Sequence, residues 1–235
     1  VLSNFDARFS VLDLPYLITN YETAYKVLDS DEIRGLLDSF AQESGVRVLT
    51  YGQGGFRQVI GNVAINSLAD MKGVKVRVPE SDIYIDTFAA LGANPTPLAY
   101  TDTFTALQQG TVDAFEITPA VVLSAGFYEV CSDISMTNHL YSPNPLMISA
   151  SLFESLTEEQ QNVITEAAKK AAADQRQWLE DGEADTLSQL QEKGMTVNNP
   201  DLTEFQAAVE SSGLYDSYKD TIGTDLFDSI QALCK

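Results

Sequence analysis

One long helical segment in the C-terminal half of the chain limits the possible folds more than any other part of the sequence. Thr157 and Gln160 have the spacing of a capping box, the reciprocal pair of side-chain bonds that begins a helix. From there apolar residues recur at helical spacing until about residue 192, at Ile164, Ala167, Ala168, Ala171, Trp178, Leu187 and Leu190. At about 1.5 Å per residue the predicted helix is roughly 50 Å long. It is longer than a small lobe is wide, so we expect it to bridge two lobes.

Elsewhere, short β-like runs alternate with helical stretches, which is typical of parallel βα units and an α/β fold. The apolar or β-like runs cover residues 12–18, 46–51, 74–78, 94–98, 111–116, 136–149 and 195–197. Helices are predicted from the cap Asn20, over residues 33–40 with a stop at Gly45, in a short turn over 67–73, over 82–91 and 101–109, from Pro119, from Asp201 and over 225–233. Gly52–Gly55 is predicted to be a turn; no helix follows it in the GxGxxG manner, which argues against a dinucleotide loop.

The net charge of −20 excludes several partners. A surface this acidic repels nucleic acid and anionic lipid. No run approaches the roughly 18 apolar residues that a membrane span needs, and no signal peptide is visible. An anionic ligand would need local cations, and the chain has only 14 Lys and Arg, so each arginine that lies deep in the fold is of interest.

The sequence contains few residues that are suited to catalysis or metal binding. Cys131 and Cys234 are far apart, and either one disulfide or two separate core cysteines would fit. His139 is the single histidine, with no neighbours that would complete a zinc site or a Ser-His-Asp triad. We therefore expect no metal, no cofactor and no catalytic residue.

Two arginines are the first candidates for ligand binding. Arg77 alternates with valines in a β-like run just before Pro79, and the carboxyl ends of parallel strands are where α/β proteins bind ligands. Its planar guanidinium matches a carboxylate with two parallel hydrogen bonds. Arg57 follows the glycine-rich stretch, whose backbone could approach a ligand closely. For each of them an ordinary surface arginine is the alternative.

A second group of candidates lies around the next strand ends. Residues 115–119 join a predicted strand to a helix start, with Thr118 as the cap, and free N–H groups there suit an anion. Tyr100 could stack on a ligand, although such an aromatic is more often a core residue. Glu80, Asp82 and Glu116 have no shared spacing, which favours solvated or capping carboxylates.

The stretch from Arg57 to Pro119, with "KGVKVRVP", "LGANPTP" and "ALQQGTVDA" in it, resembles one transporter family. The chain is similar to solute-binding proteins of tripartite ATP-independent periplasmic (TRAP) transporters, of the dicarboxylate-binding DctP type. The segments "FYEVCSDISMTNHLYSP" and "FESLTEEQQNVITEAA" extend the resemblance over nearly the whole chain.

The resemblance implies a two-lobed, type II-like periplasmic binding-protein fold of the α/β class. Lobe I would comprise about residues 1–50 and 140–195, and lobe II about 51–139 with part of 196–235. Members of the family normally begin with further βα units, so the start of lobe I is expected to be missing.

The resemblance also assigns binding roles. Arg77 matches the arginine that pairs with the ligand carboxylate, Arg57 an assisting arginine, Tyr100 an aromatic contact and Glu80 a polar contact. Family members often carry Asn where this chain has Ile117, so Thr118 or Glu116 is expected to replace part of that contact.

These roles imply a periplasmic, monomeric binding protein that captures a small organic acid. It would hand the acid to the membrane permease subunits of a TRAP transporter, without catalysis, cofactor, nucleic acid or membrane insertion. A ligand-sensing domain of a regulator, or an enzyme on the same fold, are the alternatives.

Overall fold

The computed structural model describes residues 2–235, and one mixed sheet organises them. Its strands are β1 (Val46–Gly61), β2 (Lys75–Val78), β3 (Asn94–Pro97), β4 (Ala114–Ile117), β5 (Asp133–Ser149) and β6 (Thr196–Asn198), in the spatial order β3-β2-β4-β1-β5-β6. β2 is parallel to β3 and β4, and β5 to β6, whereas β1 is antiparallel to β4 and β5. The α/β class is confirmed, but the sheet is mixed rather than wholly parallel.

Within residues 2–235, helices cover both faces of this sheet. The α-helices are α1 (Tyr21–Leu28), α2 (Asp31–Ser44), α3 (Asp82–Ala90), α4 (Tyr100–Gln108), α5 (Pro119–Ser124), α6 (Ala150–Ser155), α7 (Glu158–Glu192), α8 (Thr203–Ser211), α9 (Leu214–Ile222) and α10 (Thr224–Leu233). Short 3-10 helices lie at Leu2–Asn4, Ala7–Asp13, Leu68–Met71 and Phe127–Glu129. None of the described helices combines the length and the apolar character that crossing a bilayer requires.

Local signals determine several helix ends. The Asn20 side chain accepts a hydrogen bond from the Thr23 N–H at 2.8 Å and begins α1. Gly45, in the left-handed region with φ 72°, ends α2. Thr157 and Gln160 form the predicted capping box of α7, which is 35 residues long. The predicted long helix is confirmed.

The predicted turn at Gly52–Gly55 is wrong, because β1 runs through these residues without reversing. Its glycines have another purpose. A Cβ on Gly52 would lie 2.6 Å from Oε1 of Gln175, and Gly55 has a φ of +87° in a bulged part of β1 close to Leu179. Gly52 allows α7 to pack closely against β1, and Gly55 adopts the left-handed conformation that the bulge requires.

Other expectations differ from the structure. The apolar run over residues 12–18 forms no strand: its first two residues are the end of the 3-10 helix Ala7–Asp13, and Leu14, Leu17 and Ile18 are buried in the core. The sequence predicts neither α6 nor α9.

The core has two parts, one on each face of the sheet. Successive side chains of a strand point to opposite faces of the sheet, so neighbouring residues belong to different parts of the core. Ala114 and Phe115 in β4 are one such pair, and Val59 and Ile60 in β1 are another. The larger part lies against α1–α3 and α8–α10, and the smaller one against α4, α5 and the end of α7. β1 and β5 run side by side through both, from Val46 opposite Ser149 to Gly61 opposite Asp133. The lobe boundaries stay a prediction.

Candidate functional site

Arg77 lies in the middle of the parallel part of the sheet. Its neighbours across the strands are Thr96 in β3 and Phe115 in β4. The residue is only 3% exposed, and its Nε and Nη2 donate to the carbonyl oxygen of Leu98 at 3.0 and 2.6 Å. Among residues 2–235 its guanidinium has no carboxylate within 4.0 Å, so a buried cation is held in place without a counter-ion in contact.

Arg57 is paired with Glu116 across β1 and β4. Nε and Nη2 of Arg57 donate to the two carboxylate oxygens of Glu116, the second at 2.7 Å, and Nη2 also donates to its backbone carbonyl at 3.1 Å. The guanidinium carbon lies 5.4 Å from the centre of the Tyr84 ring. A two-pronged pair of this kind fixes the arginine side chain firmly.

His139, in β5, holds the same carboxylate from the other side. Its Nε2 lies 3.4 Å from Oε2 of Glu116, and its Nδ1 lies 2.9 Å from Oγ1 of Thr137. A neutral ring with its proton on Nε2 satisfies both contacts, because it donates to Glu116 and accepts from Thr137. Burial lowers the pKa of His139, which favours that neutral form.

The charges of this cluster do not cancel around Arg77. Burial would raise the pKa of Glu116, but the charge and hydrogen bonds of Arg57 outweigh it, and the pKa is lowered. Burial opposes the protonation of Arg57, yet Glu116 raises its pKa. Burial lowers the pKa of Arg77, the charge of Glu116 opposes that shift, and Arg57 adds to it. Arg57, Glu116 and Arg77 together carry one net positive charge, which an anion would offset. Asp13 lies near Arg57, and burial raises its pKa, which favours its neutral form.

The remaining sequence candidates lie around this cluster. Tyr100 begins α4 and is 46% exposed, with its ring 6.0 Å from that of Phe127. Glu80 is exposed, and its backbone carbonyl accepts a hydrogen bond from Asn4. Ile117 ends β4, and Thr118 is the buried cap residue of α5 but makes no side-chain capping bond.

Glu116 was expected to replace part of the ligand contact that the family's Asn makes at the position of Ile117, but its carboxylate is already hydrogen-bonded within the protein. Its side chain is fully buried and its carboxylate already accepts from Arg57 and His139. Direct contact of any of the seven candidates with a ligand stays a prediction.

A cavity of about 360 Å³ opens beside Arg57. Its polar lining residues are Arg57, Asp13, Tyr51, Tyr84, Ser142 and Asn144. The apolar ones are Leu2, Phe5, Phe9, Leu12, Pro143, Pro145 and Met147. Arg77 does not line this cavity, but its charge acts on the Arg57–Glu116 pair at the cavity's edge.

The sequence does not single out several of these residues. Its pattern raises His139 only as a metal ligand or a catalytic base, and Asp13, Tyr51 and Tyr84 belong to runs that look like core. Their common signal is polar atoms inside apolar runs, at Asp13, Tyr51 and His139, which needs a partner once the run is buried. No group of three metal-ligating side chains occurs among residues 2–235.

Comparison with known proteins identifies the class. Residues 1–220 match the family described as bacterial extracellular solute-binding protein, family 7 (DctP). A curated relative, a solute-binding protein of Verminephrobacter eiseniae, is 34% identical over 210 residues, which are 88% of this chain and 62% of the relative. The chain thus spans 62% of the length of that relative.

Solved structures agree with this assignment. A TRAP periplasmic solute-binding protein from Polaromonas, bound to D-erythronate, has a TM-score of 0.91 and 36% identity, and the match covers 98% of this chain and 76% of that one. The sugar acid binding protein DctPAm of Advenella mimigardefordensis, in complex with galactonate, has a TM-score of 0.91 and 31% identity, over 99% and 76% of the two chains. The protein belongs to the family 7 extracellular solute-binding proteins, and the resemblance to TRAP binding proteins is confirmed.

Proposed function

We propose that this chain binds a small organic acid, with the acid's carboxylate held at Arg77 and Arg57 and its carbon skeleton in the cavity beside Arg57. The observation that carries the proposal is the buried guanidinium of Arg77, which has no carboxylate in contact among residues 2–235. Within the described chain, Nη1 of Arg77 and Nη1 of Arg57 make no hydrogen bond. A ligand carboxylate would supply an acceptor for both.

The surroundings support the same ligand class. Arg57 is fixed by Glu116, and Arg77 by the Leu98 carbonyl, so neither side chain has to be ordered when the acid binds. Since Ile117 offers no side-chain hydrogen bond, the two arginines carry the recognition of the carboxylate. The neighbours with D-erythronate and galactonate bound favour sugar acids as the first ligands to test.

The wider role follows from the family. We propose that the protein works in the periplasm as a monomer, delivers its ligand to the permease subunits of a TRAP transporter and catalyses no reaction. The neighbour from Polaromonas, a TRAP periplasmic binding protein, supports this assignment.

Calorimetric titration with D-erythronate and D-galactonate tests the binding proposal. We expect the wild-type protein to bind at least one of them and Arg77→Ala to weaken it by roughly 30-fold or more, because about 2 kcal/mol or more is lost with a buried charge partner. Arg77→Lys keeps the charge but not the fork and should fall between the two.

Arg34→Ala is the matched control, because Arg34 is exposed and pairs with Asp31 only three residues away. It should leave the affinity unchanged. Equal affinities for Arg77→Ala and the wild type, with both variants folded by circular dichroism, would show that Arg77 does not hold the carboxylate.

A further inference from the structure

An irregular part of β5 carries His139. Residues 136–139 of β5 lie opposite Gln58 alone, because the regular pairing of β1 with β5 is interrupted there. Asn138 has a φ of +43°, in the left-handed region that few residues other than glycine adopt. A bulge of this kind leaves backbone groups without partners in the strand ladder, and buried backbone groups need other partners.

Two buried side chains supply those partners. Oε1 of Gln58 accepts from the Asn138 N–H at 2.9 Å, and its Nε2 donates to Oδ1 of Asn138 at 2.6 Å. Oγ1 of Thr137 accepts from the Val59 N–H at 3.2 Å. Gln58 and Thr137 are both 0% exposed. The two residues that precede His139 are therefore each tied to β1.

The Thr137 hydroxyl also determines which nitrogen of His139 carries the proton. Its oxygen accepts from Val59, and its other hydrogen-bond partner within residues 2–235 is Nδ1 of His139, at 2.9 Å. When the hydroxyl donates to Nδ1, the neutral ring keeps its proton on Nε2, 3.4 Å from Oε2 of Glu116. The opposite arrangement would bring Nε2 and a carboxylate oxygen together as two acceptors without a proton between them.

His139 in turn limits the orientation of Glu116. Oε2 of Glu116 lies between Nε2 of His139 and Nε of Arg57, and its Oε1 accepts from Nη2 of Arg57. A ring that turned, or that moved its proton to Nδ1, would deprive this carboxylate of one donor. A binding group is held in its productive orientation by such partners behind it.

We propose that Thr137 is a positioning residue of the acid-binding site. It holds His139 with the Nε2 proton directed at Glu116, and Glu116 holds Arg57 for the ligand carboxylate. A guanidinium that is already held in its binding position loses less freedom when the acid binds, so the effect of Thr137 is on affinity. This inference rests on the proposed function, because Arg57 is one of the two arginines assigned to the acid.

Nitrogen-15 NMR of the ligand-free protein gives the first measurement. His139 is the only histidine of the chain, so its two imidazole nitrogen signals need no assignment by mutagenesis. We expect wild-type protein at about pH 7 to carry the proton on Nε2 and none on Nδ1. A ring that is protonated on Nδ1, or on both nitrogens, overturns the proposal.

Thr137→Val tests the effect on binding, because it keeps the branched shape of the side chain and removes the hydroxyl. Calorimetric titration with D-erythronate and D-galactonate measures the affinity. We expect Thr137→Val to weaken the acid that the wild type binds by about 5-fold, the equivalent of one hydrogen bond. Thr137→Ser restores the hydroxyl and should bind within about 2-fold of the wild type. A Thr137→Ser variant as weak as Thr137→Val would show that the hydroxyl is not the cause.

Ser135→Ala is the matched control. Ser135 is also 0% exposed in β5, and its Oγ accepts from the Ile65 N–H at 3.0 Å, as Thr137 accepts from Val59. Within the described residues it makes no hydrogen bond with His139. Both variants should lower the free energy of unfolding, but Ser135→Ala should change the affinity by less than about 2-fold. Equal losses of affinity would show a general loosening of β5 and would overturn the specific role of Thr137.

The outcomes separate the two proposals. If the wild type binds neither acid, the proposed function fails, and the role of Thr137 in binding fails with it. If the wild type binds and Arg77→Ala loses the acid, while Thr137→Val binds as tightly as the wild type, only the positioning role is wrong.

Discussion

Arg57 and Glu116 can be buried only because each has the other. Removing two charges from water costs several kcal/mol per ion, and close, multiple hydrogen bonds are needed to offset that cost. Here Glu116 accepts from two nitrogens of Arg57 and lies against His139, while its backbone carbonyl accepts a further bond. Because the cost of burial offsets much of the attraction, the pair adds little net stability. Its effect is to hold the Arg57 side chain in one position near Arg77.

Glu116→Gln tests this balance at the level of one residue. It leaves Arg57 buried with a weaker acceptor, so we expect the free energy of unfolding to fall by about 3 kcal/mol. Chemical denaturation measures it. Glu166→Gln is the control, since its ion pair with Lys169 is exposed and should contribute less than about 1 kcal/mol. Similar losses for the two variants would contradict a supporting role for Glu116.

The same residue gives a pH dependence with a definite sign. The pKa of Glu116 is lowered in the folded state from its ordinary 4.5, so its ionisation adds stability above that value and loses it as the pH falls. The difference in unfolding free energy between wild type and Glu116→Gln should therefore shrink below about pH 4.5. A difference that stays constant into acid would show that the Glu116 charge is not what stabilises the pair.

For single residues, the sequence is enough to select the two arginines as candidates but not to predict which side chains they contact. Arg57 and Arg77 were recognisable as cations in β-like runs. Arg57 and Glu116, however, are 59 positions apart and meet only because β1 lies beside β4. His139 joins them from β5 for the same reason. Side-chain pairs made by strand neighbours that are distant in sequence leave no local pattern to read.

Among the secondary structure elements, β1 and α7 depend most on each other. The amide of Gln175 accepts from the Gln53 N–H and donates to the Gln53 carbonyl, both at 2.8 Å. Arg176 donates to the Tyr51 carbonyl at 2.9 Å and forms a two-pronged pair with Asp29 at the end of α1. Two side chains of α7 thus satisfy backbone groups where β1 is bulged and its ladder is interrupted.

The glycines of β1 are the condition for that contact. Gly55→Ala places a Cβ on a residue with φ +87° and 3.3 Å from Leu179, so we expect a loss of about 1–3 kcal/mol in unfolding free energy. Gly182→Ala, in α7 itself, meets nothing within 4 Å and should gain about 1 kcal/mol. Thermal and chemical denaturation measure both. A neutral Gly55→Ala would mean that the bulge is not needed to seat α7.

These two elements also show which parts of the fold were predictable. The ends of α7 follow from a capping box and a continuous apolar stripe, which are local. The course of β1 was predicted wrongly because its glycines suggested a turn, whereas their cause is a helix more than 100 residues away. α9 begins after Gly213, a residue more typical of a helix end, and only its packing reveals it.

For the molecule as a whole, the important contrast is between an acidic exterior and buried cations. The net charge is −20, while three arginines, Arg57, Arg77 and Arg176, are 3–8% exposed. An acid approaching from solvent is repelled at long range and attracted only near the cavity. The range of the repulsion depends on salt, because the Debye length is about 30 Å at 0.01 M and about 8 Å at 0.15 M ionic strength.

This contrast predicts that salt accelerates association. Raising NaCl from about 0.01 to 0.15 M should increase the association rate constant of D-erythronate, because screening removes the long-range repulsion more than the attraction inside the partly buried site. Stopped-flow tyrosine fluorescence can follow the reaction, since Tyr51 and Tyr84 line the cavity. Choline chloride should act as NaCl does, which separates screening from a specific effect of sodium. A rate constant that falls as either salt is added would show that the local field of Arg57 and Arg77 reaches beyond the cavity and dominates the approach.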